Sequence, residues 1–414
     1  MFRAAIIGVT GFGDIHYRDL MREYGQGRMR PVAATIINPE EAAEKISRLR
    51  AAGCAIYADW REMLARHAGE IDICFIPTGI PLHAPMTIAS LKAGANVFVE
   101  KPAAATVQEV RAMQTAEAET GRWVAVGYQS MYSPEMLIMK QAILHGDLGE
   151  VEAIKFYGLW PRDDDYYQRN SWAGRLRGAD GAWILDSPYN NALAHQLNQI
   201  AFLAGATLKR SATPTAVRAE LYRARNIASA DTACIRCATQ EGITLWCFVT
   251  HASQANEGPV LTVRGRGSIS WTFQGTVVRR RDGSEQRLPS QRGLDGRDVR
   301  ELIMDALCRK LAGDPDAFVC DLAIAKAQTI IVNGAHDSSP IRAAPREMVR
   351  REERSGKTWV IWHGIDDLIR RAAQEERMFH EYSAPWAAAG REVSVAGYVD
   401  GSISFPAPGS AAAE

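Results

Sequence analysis

Three groups of residues in this 414-residue sequence have types and spacings that could do chemistry. The first is Glu100-Lys101-Pro102, directly after the apolar run Val97-Phe98-Val99. That run reads as the end of a buried strand, where a lysine is costly unless something uses it. In an open α/β sheet this end of a strand is also where ligands bind. The plainer alternative is an exposed charge pair that merely closes the strand. The second group is Gly8-Val9-Thr10-Gly11-Phe12-Gly13, set between an apolar strand over 2–7 and a helical run that opens with Asp14 and Ile15. Strand, tight glycine turn and helix is the layout that places a pyrophosphate on a helix N-terminus. Gly8 and Gly13 fit G-x-G-x-x-G, but Thr10 replaces the middle glycine with Gly11 beside it, so a shifted or wider turn is expected. The third group is Asp186 with Asn190, Asn191 and His195. Ser187 as N-cap and Pro188 at the first helical position predict a helix. On it Asn191, His195 and Asn198 share one face. That polar stripe should meet an enclosed polar pocket, or else His195 is a satisfied structural histidine. The preceding loop, 159–180, is dense in Trp, Tyr, Arg and Asp and supplies Trp172 and Arg175 as substrate candidates. Such a loop suits a polyhydroxylated ligand, or alternatively a dimer rim.

These groups need a scaffold, and 414 residues suffice for about two domains. After the glycine turn come a second strand over 30–37 and a helix opened by Asn38 as N-cap and Pro39. An NAD-preferring fold usually ends this strand on an acid that holds the ribose diol. Ile36, Ile37 and Asn38 stand there instead, so NAD and NADP both remain open, with Asn38 as the contact. Residues 71–76 form a core strand, followed by the loop Pro77-Thr78-Gly79-Ile80-Pro81-Leu82-His83 and a helix from 84. A helix over 107–120 and a strand over 123–127 complete an α/β dinucleotide-binding half, 1–127. An α+β half with an open, mainly antiparallel sheet is expected over 128–386. Its strands at 215–288 read as a meander, and its helices lie at 134–144, 297–312, 321–338 and 365–382. The Gly/Ala/Ser/Pro-rich tail, 387–414, is expected to be poorly ordered.

The run LKAGANVFVEKP at 91–102 resembles the signature of the Gfo/Idh/MocA oxidoreductase family. The resemblance implies a Rossmann domain binding NAD or NADP, and Lys101 beside the nicotinamide as acid/base. It also implies a cis bond before Pro102, and Pro77 and Thr78 along the nicotinamide ribose. A histidine often stands where His83 does; here His83 serves the cofactor or is a helix cap or buried partner. Glu100, Tyr128 and Gln129 are carried over as neighbours of the cofactor and substrate. The family's D-x-G-x-H-x-x-D is altered: Asp186 matches the first aspartate, but Pro188, Asn190 and Leu193 fill the other places. Asparagine can hold a hydroxyl but cannot carry a proton. His195 is therefore expected to take part of the missing histidine's role, with Asn190 and Asn191 holding hydroxyls. The implied activity is NAD(P)-dependent oxidation of a secondary alcohol of a sugar, cyclitol or polyol, or the reverse. Its rivals are a redox-neutral reaction on tightly bound NAD and a non-catalytic sensor. The open sheet implies a dimer or tetramer.

Composition narrows the partners. Lys+Arg and Asp+Glu both number 48, so nothing points to nucleic acid or an anionic membrane. No apolar run approaches a membrane span, and the first residues run straight into a strand, where no signal peptide is expected. Seven cysteines without paired spacing predict reduced thiols and a cytoplasmic protein. Cys234 and Cys237 should point to opposite faces of one strand, and no metal site is expected.

Overall fold

The structure, a computed structural model, describes residues 1–407 and 409–412. Six parallel strands form the first sheet: β1 (Phe2–Ile7), β2 (Met29–Thr35), β3 (Ala55–Tyr57), β4 (Ile73–Ile76), β5 (Asn96–Val99) and β6 (Val124–Val126). Their order is β3-β2-β1-β4-β5-β6, so the connections change direction between β1 and β4. That switch point is where ligands bind in open α/β sheets. β4 and β5 are buried throughout, which is why they read as unbroken apolar runs. Five helices cover the two faces: α1 (Gly13–Gly25), α2 (Ala43–Ala51), α3 (Trp60–Arg66), α4 (Ile80–Lys92) and α5 (Val107–Thr120). α5 has the sharpest ends, with a Thr106/Glu109 capping box and Gly121 at φ 64° after it. α2 begins later than Asn38-Pro39 suggests. Residues 39–42 close a turn first, and the Asn38 side chain bonds Glu41 instead of capping the helix.

The second half holds α6 (Pro134–Leu144), β7 (Ala153–Leu159), α7 (Asp164–Gln168) and α8 (Ala194–Leu203), then β8 (Pro214–Arg223), β9 (Thr232–Thr239) and β10 (Thr244–Thr250). β11 (Glu257–Arg264), β12 (Ser268–Thr272), β13 (Gly275–Arg279) and β14 (Glu285–Leu288) follow, then α9 (Val299–Leu311), α10 (Leu322–Ser338) and β15 (Ile341–Ala343). The sheet order is β14-β13-β12-β11-β7-β10-β9-β8-β15. The expected simple meander is therefore interrupted: β7 lies between β10 and β11, parallel to the first and antiparallel to the second.

α8 and α10 cover one face of this sheet, over Phe156, Val217 and Leu245. The other face was expected to be open and to mediate contact between copies; over β7–β10 it is covered. The hairpin β16 (Val349–Arg354)–β17 (Lys357–Trp362) and α11 (Ile365–Glu375) pack there on Tyr222, Trp246 and Phe248. Cys234 lies in this layer and Cys237 in the opposite one, as their spacing requires. α11 stops short of 382 because Glu376 turns left-handed, at φ 56°, and takes up Lys155 and Arg264.

The tail differs most from expectation. β18 (Val393–Ser394) pairs with β8, α12 (Ala396–Asp400) follows, and Tyr398 and Phe405 are buried. Asp337 on α10 accepts from the Tyr398 and Ser410 hydroxyls, and Gln108 on α5 exchanges two hydrogen bonds with the Phe405 backbone. Small-residue composition conceals these aromatic anchors. The same expectation for 408, 413 and 414 lies outside the described residues. Among the described residues no helix is long and apolar enough to cross a membrane.

Candidate functional site

The glycine turn at the end of β1 is built to leave donors free. Gly8 and Gly11 adopt φ 95° and 55°, which favours glycine. A Cβ on Gly13 would lie 2.6 Å from the Gly8 carbonyl oxygen, so α1 can approach the turn only through glycine there. Among the described residues, the backbone N–H groups of Thr10, Gly11 and Phe12 find no acceptor within the chain, and Phe12 is exposed. Free donors beside a helix N-terminus fit a pyrophosphate. Asp14 and Ile15 open α1; Asp14 is paired with Lys45, whose amine also donates to the Val9 carbonyl at 2.6 Å. Asn38 is exposed beyond the end of β2, as a ribose contact would be, with no acid in its place.

Glu100 is not in a position to contact a cofactor. It is buried and accepts from the His16 ring on α1 at 2.8 Å and from the Lys101 amide at 3.1 Å. Burial alone would raise its carboxyl, but the His16 ring together with the Arg300 and Lys101 charges outweighs that and holds it at about 2. Its work is to fasten the lysine turn to the glycine-turn helix. The sequence reading missed His16, although a buried acid needs a partner and α1 was the neighbouring element. His83 is likewise structural. It lies inside α4, buried, with Nδ1 2.7 Å from the Pro102 carbonyl and Nε2 3.0 Å from that of Thr78. Burial lowers its pKa and keeps the ring neutral, so one nitrogen donates. It ties the Pro77-Thr78 loop to Lys101-Pro102, whose bond is cis as the resemblance implied.

Lys101 is half-buried and faces the second half of the chain. Its Nζ donates to the Asn191 main-chain oxygen at 2.8 Å and to Asn191 Oδ1 at 2.9 Å. Asn191 Nδ2 donates to Asp186 Oδ1 at 2.8 Å, and Asp186 Oδ2 accepts from the Gly174 amide at 2.6 Å. Amine, amide and carboxylate thus form one chain across the cleft. Burial lowers the Lys101 pKa, while Glu100 and Asp186 pull it upward and Arg169 lowers it further. Burial raises the Asp186 carboxyl against the pull of the Gly174 amide and Asn191.

The helix predicted from Ser187 starts only at Ala194. Residues 187–193 make successive turns, with Ser187 Oγ accepting from the Asn190 amide. These turns take Asn191 off the helix and set it against Lys101. They also use up Asn190, which is buried, donates to the Ile184 and Leu185 carbonyls, and accepts from Gln328. Asn190 therefore has no amide group left for a substrate hydroxyl. Asn198 faces Cys320 rather than the cleft. His195 does reach the cleft region: its ring meets Tyr128 edge-on at 5.8 Å, and burial, with Lys101 nearby, lowers its pKa to about 3. His195 Nδ1 and the Tyr128 hydroxyl are buried and have no partner among the described residues. Gln129 bonds Gln291 at 3.0 Å, so its side chain already has a partner within the chain.

Trp172 packs on Ile80, and its indole nitrogen would lie 3.4 Å from a Cβ on Gly79, so it leans on the cofactor-side loop. Arg175 does not join it. It is exposed and lines a cavity of about 420 Å³ with Asp164, Arg225 and Arg351, which neither Lys101 nor Asp186 borders.

Comparison with known proteins follows this geometry. Residues 2–128 match the model of the Gfo/Idh/MocA family, described as an oxidoreductase family with an NAD-binding Rossmann fold. An inositol 2-dehydrogenase of Azotobacter vinelandii is 29% identical over 199 residues, 48% of this chain and 53% of that protein. An inositol 2-dehydrogenase of Pseudomonas syringae pv. syringae is 32% identical over 149 residues, 36% of this chain and 43% of the relative. The chain thus spans about half the length of the curated relatives it matches. Two solved structures share the fold over 81% of this chain and 97% of their own. One is levoglucosan dehydrogenase in complex with NADH and levoglucosan, at 19% identity and TM-score 0.65. The other is the WlbA dehydrogenase from Bordetella pertussis in complex with NADH and UDP-GlcNAcA, at 21% identity and TM-score 0.64. Residues 2–128 thus match the NAD-binding Rossmann domain of the Gfo/Idh/MocA oxidoreductase family.

Proposed function

We propose that the chain is an NAD-dependent dehydrogenase that oxidises a secondary alcohol of a sugar, cyclitol or related polyol, or reduces the ketone. The observation that carries this reading is the Lys101 amine, delivered into the cleft between the halves and held by Asn191, which Asp186 braces in turn. The nicotinamide would supply the acceptor for the hydride that leaves the alcohol carbon. Thr10, Gly11, Phe12 and Gly13 would hold the pyrophosphate, Asn38 the adenosine ribose, and Pro77 and Thr78 the nicotinamide side. Lys101 receives the hydroxyl proton, a task that requires a neutral amine; burial pushes the amine that way. Asp186 acts through Asn191, fixing the direction in which the amine's donors point. Tyr128 and His195 offer unpartnered polar atoms to the remaining hydroxyls, and the neutral ring of His195 can donate or accept. Trp172 presents an indole beside the cofactor-side loop for the C–H face of a sugar. The test is a screen of polyols, their acids and their phosphates with NAD and NADP, followed by absorbance of the reduced cofactor. Turnover with a cyclic polyol and NAD is expected; no reduction with any member of the panel would overturn the reading.

A further inference from the structure

The loop over 159–180, which meets Asp186 through the Gly174 amide and Gly79 through Trp172, divides its charges unevenly. Asp163, Asp164 and Asp165 are all engaged on its far side. Asp163 caps α7 and pairs with Lys357 at 2.8 Å, Asp165 pairs with Lys357 at 3.3 Å, and Asp164 pairs with Arg225 and Arg351. Its cations are left without acids. Among the described residues, no carboxylate lies within 4.0 Å of Arg162 or Arg169. Both guanidinium groups lie over aromatic rings. Arg169 is 3.7 Å from the Tyr166 centroid and 5.0 Å from that of Trp172. Arg162 is 5.0 Å from Tyr166 and 5.1 Å from Trp160. Trp172 is the residue that leans on Gly79, so Arg169 stands next to the cofactor-side loop. Arg162 Nε is buried without a partner among the described residues. The neighbouring His251, 5.5 Å from the Tyr166 ring, is kept neutral by burial and by these arginines, so it neither adds to nor offsets their charge.

We infer that the substrate bears an anionic oxygen group, a carboxylate or a phosphate, and that Arg169, backed by Arg162, receives it. This rests on the reading of the Lys101 cleft as a polyol site and narrows the polyol to a sugar acid or a sugar phosphate. A neutral polyol would leave the Arg169 guanidinium beside Lys101 with only Asp186 and the already engaged Glu100 as counter-charges. A planar guanidinium fork suits a carboxylate or phosphate, and aromatic faces beneath it hold that fork in place.

The experiment measures binding to the enzyme–NADH complex by cofactor fluorescence. The panel pairs glucose with glucuronate, glucitol with gluconate, and glucose with glucose 6-phosphate. At least one anion should bind about tenfold or more tighter than its neutral partner, as a hydrogen bond to a charged group warrants. The preference should shrink with added salt. In Arg169→Met the ratio of anion to neutral affinity should collapse toward one. The two acid arms and the phosphate arm tell a carboxylate substrate from a phosphorylated one. Equal or weaker binding of every anion, or a ratio unmoved in Arg169→Met, overturns the inference. Lys101→Ala separates the two claims, because it should abolish turnover and keep the anion preference. Normal turnover in that variant, with the preference still lost in Arg169→Met, would sink the catalytic reading and leave the anion site standing.

Discussion

Replacing Glu100 by glutamine tests how the lysine turn is held. Glu100 is 5% exposed and its carboxyl sits at about 2 in the folded chain against an ordinary 4.5. That gap is about 2.5 in pH, and each pH unit corresponds to 1.36 kcal/mol, so the ionised group stabilises the fold by roughly 3 kcal/mol. The folded value is depressed, so the contribution is complete above 4.5 and is lost as pH falls toward 2. Glu100→Gln should therefore cost up to about 3 kcal/mol near neutral pH, and the deficit should fall by roughly half or more by pH 3. Urea unfolding of both proteins, followed by tryptophan fluorescence across that range, reads the difference directly. A deficit that is constant with pH, or that grows on acidification, would refute the reasoning. The same substitution removes a negative charge that favours protonated Lys101. The acidic limb of the pH profile for alcohol oxidation should consequently move to lower pH; movement to higher pH would contradict the assignment.

Asn191→Ala removes the 2.9 Å hydrogen bond to Lys101 Nζ and strips Asp186 of its 2.8 Å donor, while the main-chain contact to the amine stays. A hydrogen bond to a charged group is worth about 1.5–3 kcal/mol, so kcat should fall roughly ten- to a hundredfold. Steady-state kinetics check this, and an unchanged kcat would show that the amine needs no such support. Gly13→Ala forces a Cβ to within 2.6 Å of the Gly8 carbonyl, so the turn must shift. NADH affinity by fluorescence titration should weaken by about tenfold or more, and wild-type affinity would mean the pyrophosphate lies elsewhere.

The parts of the molecule that could be read from sequence are those fixed by local or periodic signals. Continuous apolar runs gave β4 and β5 because both faces of those strands are buried. The helices read over 134–144 and 107–120 keep those bounds in the structure. What escaped depends on contacts distant in sequence. Nothing near Asn190 foretells Gln328, 138 residues on, which takes its carbonyl oxygen. Nothing near Glu100 foretells His16, 84 residues earlier. The turns over 187–193 displaced a helix that capping residues predicted, and the insertion of β7 into the second sheet is a tertiary choice invisible to strand periodicity. The packed tail was hidden because Tyr398 and Phe405 anchor a stretch otherwise made of small residues.

The most direct measurement pairs NADH binding with turnover in Lys101→Ala. Loss of a general base predicts a fall in kcat of about a hundred- to ten-thousandfold, with dinucleotide affinity within a few-fold of wild type, because the free amides of Thr10, Gly11 and Phe12 are untouched. Turnover close to wild type would contradict the account, since the proton would then leave by a route that does not involve this amine.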